Sequence, residues 1–209
     1  MVTKEQIIQW LKAIALVLEQ NKDYLTDLDA AIGDADHGIN MNRGFQKVVS
    51  QLPTVADKDI GSILKTVSMT LISTVGGASG PLYGTMFLRA STAVAGKSEL
   101  TDEDMVALLQ AAVDGVIQRG KANLGDKTML DALSPAADTF KQAVANGAST
   151  QEALQQAVTT AEQGMNNTIG LVAKKGRASY LGDRSSGHLD PGATSTYLIL
   201  KTLLDTLRD

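Results

Sequence analysis

The chain has 209 residues, 44% of them apolar, with a formal net charge of -4 and a pI near 5.2. That balance leaves no electrostatic footprint for nucleic acid and no clustered basic face for a membrane surface. With no cysteine in the sequence, disulfides, thiolate metal sites and cysteine nucleophiles are all excluded.

One domain over residues 1–209 is expected, burying roughly 70% of its unfolded surface. The N-terminus carries no cleavable signal pattern, and no apolar run approaches the ~20 residues of a membrane span. The expectation is a soluble cytoplasmic protein.

Helical periodicity dominates. Thr3 with Gln6 forms a capping box ahead of a stripe of Ile7, Leu11, Ile14 and Leu18, and this first helix is predicted to run towards Leu28. The next stretch, Asp29 to Asn40, holds Asp29, Asp34, Asp36 and His37. Carboxylates held together repel by roughly 4 kcal/mol per pair at ~4 Å and an effective dielectric near 20, unless a cation intervenes. Carboxylate oxygens without thiolates suit magnesium, calcium or manganese. An EF-hand is excluded, because Gly and Glu are missing from its sixth and twelfth loop positions. A second reading stays open at this point, in which the aspartates only cap a helix in a Gly-Asp turn.

Gly38 to Val49 is predicted as the second helix, stopped at Leu52-Pro53. Asp57 is the expected cap of a third, with Ile60, Ile63, Leu64, Val67 and Leu71 inside and Gly76-Gly77 after its end. Ser79 is expected to cap the fourth, and Thr101 with Asp104 the fifth, which stops near Gly120. The sixth spans about Thr128 to Val144, and Ser149 with Glu152 opens the seventh. No alternating strand is predicted. The stretch from about Gly170 to Asp190 is too long for an ordinary connection and reads as a lid. Asp190 as N-cap and Pro191 at the first helical position open the eighth helix.

Eight helices with mostly short connections are expected to pack up and down as antiparallel neighbours. The N-termini of the second, fourth, sixth and eighth then share one end, and the unusual loops fall there. Helix N-termini offer free amides and about half a positive charge, so several converging on one rim would hold phosphates. Beside them the Gly76 to Gly80 loop allows close backbone approach, with Ser79 as a hydroxyl donor, although it matches neither a Walker loop nor a dinucleotide fingerprint. Arg177, in Lys174-Lys175-Gly176-Arg177, reads either as a mobile cation for a transferring phosphoryl group or as part of a solvated basic loop. His37 can donate to phosphate or orient a carboxylate, while a lone histidine at a helix start is more often structural. His188 has the weaker claim to a role.

Gly33 to Gly44, Gly76-Gly77-Ala78-Ser79-Gly80-Pro81, Gly125-Asp126-Lys127-Thr128-Met129 and Asp190-Pro191-Gly192-Ala193-Thr194 resemble the nucleotide-binding L subunits of bacterial phosphotransferase-dependent dihydroxyacetone kinases, nearly end to end. The resemblance implies an all-α, eight-helix antiparallel up-and-down barrel with a lid before the last helix, holding ADP and two magnesium ions at one rim. It implies Asp29, Asp34 and Asp36 as metal ligands, and His37, Gly38, Ile39, Asn40, Ala78, Ser79, Gly120, Met129, Arg177, Asp190, Pro191 and Gly192 around ADP. It also implies that a phosphohistidine-carrying M subunit of the phosphotransferase system phosphorylates the bound ADP, and that the ATP formed serves dihydroxyacetone on a K subunit. An ATP-exchanging kinase module for dihydroxyacetone or another acceptor is the alternative.

Overall fold

In the computed structural model, which describes residues 1–208, nine α-helices form among the described residues. In chain order they are α1 (Lys4–Gln20), α2 (Lys22–Ile32), α3 (His37–Gln51), α4 (Ile60–Thr74), α5 (Ser79–Ala93), α6 (Asp102–Gly120), α7 (Leu130–Ala145), α8 (Thr150–Asn167) and α9 (Pro191–Arg208). Each of α3 to α8 packs on the next, and α1 touches both α3 and α9, so the array closes into a barrel.

Nine helices occupy eight staves because the predicted first helix is broken at Asn21. Its amide side chain donates to the Val17 carbonyl at 2.8 Å and its φ/ψ of -101°/10° leaves the helical region, so α1 and α2 are separate rods. The capping boxes at Thr3, Thr101 and Ser149 all form with both halves present. Two expected caps differ. Asp59, not Asp57, caps α4, accepting from the Ser62 amide at 3.1 Å and the Gly96 amide at 2.9 Å, while Asp57 pairs with Lys58 in an exposed turn. Ser79 is the first residue of α5 rather than its cap, and no side chain caps that helix. Val2–Thr3 (β1) also pairs antiparallel with Glu99–Leu100 (β2), a two-residue ladder too short to show alternation in the sequence.

The barrel interior is apolar. Trp10, Phe45 and Phe87 meet with ring centroids 6.0 and 6.1 Å apart, and the Trp10 indole donates to the Ile199 carbonyl at 3.1 Å, which ties α1 to α9 across the closure. Side chains such as Leu11, Ile14, Phe45, Ile63 and Phe140 are fully buried, each contributing roughly 1.5–3 kcal/mol relative to exposure. Where α8 crosses the start of α7, Gly164 lies so close that a Cβ would sit 2.1 Å from the Asp131 carbonyl oxygen, which fixes where Asp131 can stand. No helix among the described residues is long and apolar enough to cross a membrane.

Candidate functional site at one rim of the barrel

A cavity of about 670 Å³ opens at the end where α3, α5, α7 and α9 begin. Its wall is made from the α2–α3 turn, the Gly76–Ser79 loop, the end of α6, the loop before α7, the lid and the start of α9. These are the segments whose convergence the helix parity predicts.

The acidic turn is built by local backbone constraints. The Gly33 amide bonds to the Asp29 carbonyl to end α2, and Ala35 takes the left-handed conformation at φ 61°. The chain folds back so that Asp29 Oδ2 accepts from the amides of Asp36 and His37 at 2.8 and 3.1 Å. One carboxylate oxygen each from Asp29, Asp34 and Asp36 then lies within 4.8 Å of the others. The cation placed against them is Arg177 of the lid, whose Nε bonds to Asp34 Oδ2 at 2.9 Å. Three clustered carboxylates against one largely exposed guanidinium leave excess negative charge, and an all-oxygen donor set of this kind fits a hard divalent cation. The capping alternative accounts for Asp29, whose carboxylate accepts the His37 amide at the start of α3, and not for Asp36, which as N-cap makes no side-chain bond to the helix, or for Asp34, whose partner is Arg177.

Under the cavity floor runs a chain of hydroxyls. His37 is buried, with Nδ1 3.1 Å from Ser79 Oγ and Nε2 2.9 Å from Ser195 Oγ. Ser195 Oγ is also 2.7 Å from the Tyr83 hydroxyl, which donates to the Gly192 carbonyl or meets Thr196 Oγ1, each at 3.0 Å. Burial pushes the His37 imidazole down to about 4 against the opposing pull of Asp29 and Asp36, and pushes the Tyr83 phenol up to about 12. Both rings are therefore neutral at pH 7. His37 spends both nitrogens on serine hydroxyls and stitches α3 to α5 and α9, which favours the structural of its two readings.

Across the cavity Leu82, Val116, Ala122 and Met129 present an apolar strip. Gly120 keeps it open, because a Cβ there would approach a Leu82 methyl to 3.0 Å. Asp190 caps α9 as predicted, its Oδ2 accepting from the Ala193 amide at 2.7 Å. Burial raises its carboxyl to about 7, opposed by that amide and by Lys127.

Of the residues singled out in the sequence, the cavity gathers Asp29, Asp34, Asp36, His37, Ala78, Ser79, Gly120, Met129, Arg177, Asp190, Pro191 and Gly192. It does not gather Gly38, Ile39 or Asn40. Gly38 backs onto α2, where a Cβ would meet the Lys22 carbonyl at 2.0 Å, and Ile39 is 48% exposed. Asn40 accepts from Arg43 at 2.7 Å and lies beneath Gly76, supporting that loop from behind. His188 contributes its backbone carbonyl to Lys127. Sequence reasoning missed Tyr83, Leu82, Arg119 and Lys127 as wall residues. Tyr83 and Leu82 follow the glycine loop closely enough to be suspected, but a fully buried lysine has no signal in a sequence.

Residues 31–205 match the family model of the DAK2 domain. The chain belongs to the DAK2-domain family. Among similar DAK2-domain relatives, the PEP-dependent dihydroxyacetone kinase ADP-binding subunit DhaL of Escherichia coli (strain K12) is 50% identical over 201 residues, 96% of each chain. The PTS-dependent ADP-binding subunit DhaL of Lactococcus lactis (strain IL1403) is 39% identical over 99% of this chain and 100% of its own. The crystal structure of the dihydroxyacetone kinase of C. freundii with AMP-PNP and Mg2+ shares the fold at a TM-score of 0.73 and 23% identity, covering 95% of this chain and 33% of that one.

Proposed function

We propose that this DAK2-domain protein is the ADP-binding subunit of a cytoplasmic dihydroxyacetone kinase whose ultimate phosphoryl donor is phosphoenolpyruvate. The observation that carries the reading is the 50% identity, over 96% of both chains, to a subunit of that description, in a chain whose cavity pairs a carboxylate cluster with several helix N-termini. The apolar strip of Leu82, Val116 and Met129 receives the adenine. The amide ends of α5 and α9 face the phosphates, and Asp29, Asp34 and Asp36 hold two magnesium ions that neutralise phosphate charge when bound. Arg177, tethered to Asp34 in the free protein, turns to the transferring phosphoryl group.

In this scheme a phosphohistidine subunit of the phosphotransferase system docks at the rim. Its N–P bond breaks as the ADP β-phosphate oxygen bonds to phosphorus, and the γ-phosphoryl group of the resulting ATP later passes to a hydroxyl oxygen of dihydroxyacetone held on a K subunit, whose proton leaves. The chain itself binds, orients and covers the nucleotide.

The exchanging reading is kept because the fold also forms about a third of a longer kinase chain solved with AMP-PNP. The decisive measurement is nucleotide exchange. Protein purified without added nucleotide should retain ADP when challenged with excess labelled ATP and magnesium, and should turn over only when both partner subunits are supplied. Replacement within seconds, with turnover on free ATP and the K subunit alone, would establish the exchanging kinase instead.

A further inference from the structure

Lys127 takes no part in the scheme above, although it lines the cavity and is only 1% exposed. Burying an ammonium in this way disfavours its charged form, and burial does lower its pKa, with Asp190 and Asp131 pulling the other way. Such a group needs partners for its three donors. Two are backbone carbonyls far apart in the chain: Thr168, where α8 ends, and His188, just before α9. These residues are the two strands of the lid's neck.

The neck is closed by further bonds. The Gly187 amide donates to the Ile169 carbonyl at 2.7 Å, and the Asp190 amide to Thr168 Oγ1 at 3.0 Å. Beside it, the loop that carries Lys127 takes a second hold, the Lys174 amide donating to the Asp126 carbonyl at 3.0 Å. The end of α8 carries the negative pole of its helix, so a cation there is favoured on electrostatic grounds as well. The arm beyond the neck has no such anchoring: Tyr180 is 87% exposed and the tie to the barrel rim is the Arg177–Asp34 pair.

We propose that Lys127 is a positioning residue: by bonding the Thr168 and His188 carbonyls at once, it bolts both strands of the lid neck to the loop before α7, and so sets where Arg177 and Asp190 stand. The bolt is a property of the free protein, while its consequence for nucleotide binding rests on the ADP reading. A neutral side chain there leaves the His188 carbonyl without its donor and the Thr168 carbonyl with the Leu171 amide alone.

The test uses two variants of the full chain. Lys127→Met keeps the stem and removes the charge. Lys127→Gly suits the backbone, whose φ of 62° glycine adopts without strain, and leaves a channel that n-butylammonium can fill. In hydrogen exchange without nucleotide, amides of the neck at 168–174 and 185–190 should exchange about tenfold faster or more in both variants, the worth of a charge-assisted bond, with α4 and α5 unchanged. Millimolar n-butylammonium should restore protection in Lys127→Gly and not in Lys127→Met. Magnesium-dependent ADP affinity should fall in both variants by a similar factor and recover with the amine. Unchanged neck exchange overturns the bolt. A loosened neck with parental ADP affinity overturns its link to the site, and failure of both variants to fold overturns a role confined to the lid. If the parent itself does not bind ADP, the functional reading fails while the exchange result still decides the bolt.

Discussion

Two groups of three carboxylates stand in the rim segments: Asp29, Asp34 and Asp36, which all line the cavity, and Asp126, Asp131 and Asp190, of which Asp190 lines it. The second group is furnished by the protein itself. Asp131 accepts from the Gly125 and Thr128 amides at 2.6 and 2.8 Å, Asp126 from the Asn123 amide at 2.8 Å, Asp190 from the Ala193 amide, and Lys127 stands among them as a resident cation. The first group receives two amides on Asp29 and one exposed guanidinium on Asp34. Carboxylates whose acceptor sites are filled build a loop, and those left short of positive charge attract a cation from solution. The two sides should therefore respond to substitution in different observables.

The sharpest contrast is expected at Asp34, whose carboxylate has no backbone amide to satisfy. Asp34→Asn should leave the thermal transition of the free protein nearly unchanged and remove magnesium-dependent ADP binding from the calorimetric range. Normal binding by that variant would show that the first group is not the metal site. Arg177→Ala should come next. Its guanidinium is mostly solvated in the free protein, so ADP affinity should shift by no more than about fivefold, an exposed ion pair being worth at most ~1 kcal/mol. Phosphoryl transfer in single turnover should slow by about 100-fold or more, as expected when a cation acts mainly on the developing charge. Equal transfer rates would return Arg177 to the role of a solvated basic loop.

On the furnished side the effect should appear in stability. Asp131→Ala strips the Gly125 and Thr128 amides of their acceptor and removes a charge that supports buried Lys127. A loss of about 2–3 kcal/mol in urea unfolding is expected, measured without magnesium or nucleotide. A neutral outcome would mean that water fills these sites as well as the carboxylate does.

The same contrast explains what the sequence revealed. Unfurnished charge is legible: three aspartates in eight residues stand out in the sequence, and the capping boxes at Thr3, Thr101 and Ser149 mark helix starts through local bonds. Helix parity brings the rim loops together with no tertiary information. Long-range furnishing is not legible. Lys127 sits in a polar loop and meets carbonyls 41 and 61 residues away, and the Asn21 break depends on one side chain turning back on its own helix. Gly38, Ile39 and Asn40 stand outside the cavity lining for a related reason. They share a motif with Asp34 and Asp36, but helical rotation carries successive residues about 100° apart, so adjacency in sequence does not keep them on the cavity side.

The smallest expected effect tests the floor that joins the two sides. His37 is held neutral between Ser79 and Ser195, with its pKa lowered to about 4 by burial despite Asp29 and Asp36. Its ordinary value is 6.5, so between these values the unfolded chain binds a proton that the folded chain does not. Stability from this group is therefore complete above 6.5 and is lost as pH falls towards 4, with the sign of a buried base rather than of a salt bridge. His37→Gln, which does not titrate, should be less stable than the parent at pH 7.5, because one serine contact is lost. The gap should narrow by about 2 kcal/mol at pH 4.5, in urea unfolding with EDTA present to keep the acidic turn free of metal. A gap that stays constant with pH would mean that His37 gains its proton inside the folded barrel. The acidic turn would then draw part of its missing positive charge from its own histidine, and the division between the two sides would be weaker than their hydrogen bonds imply.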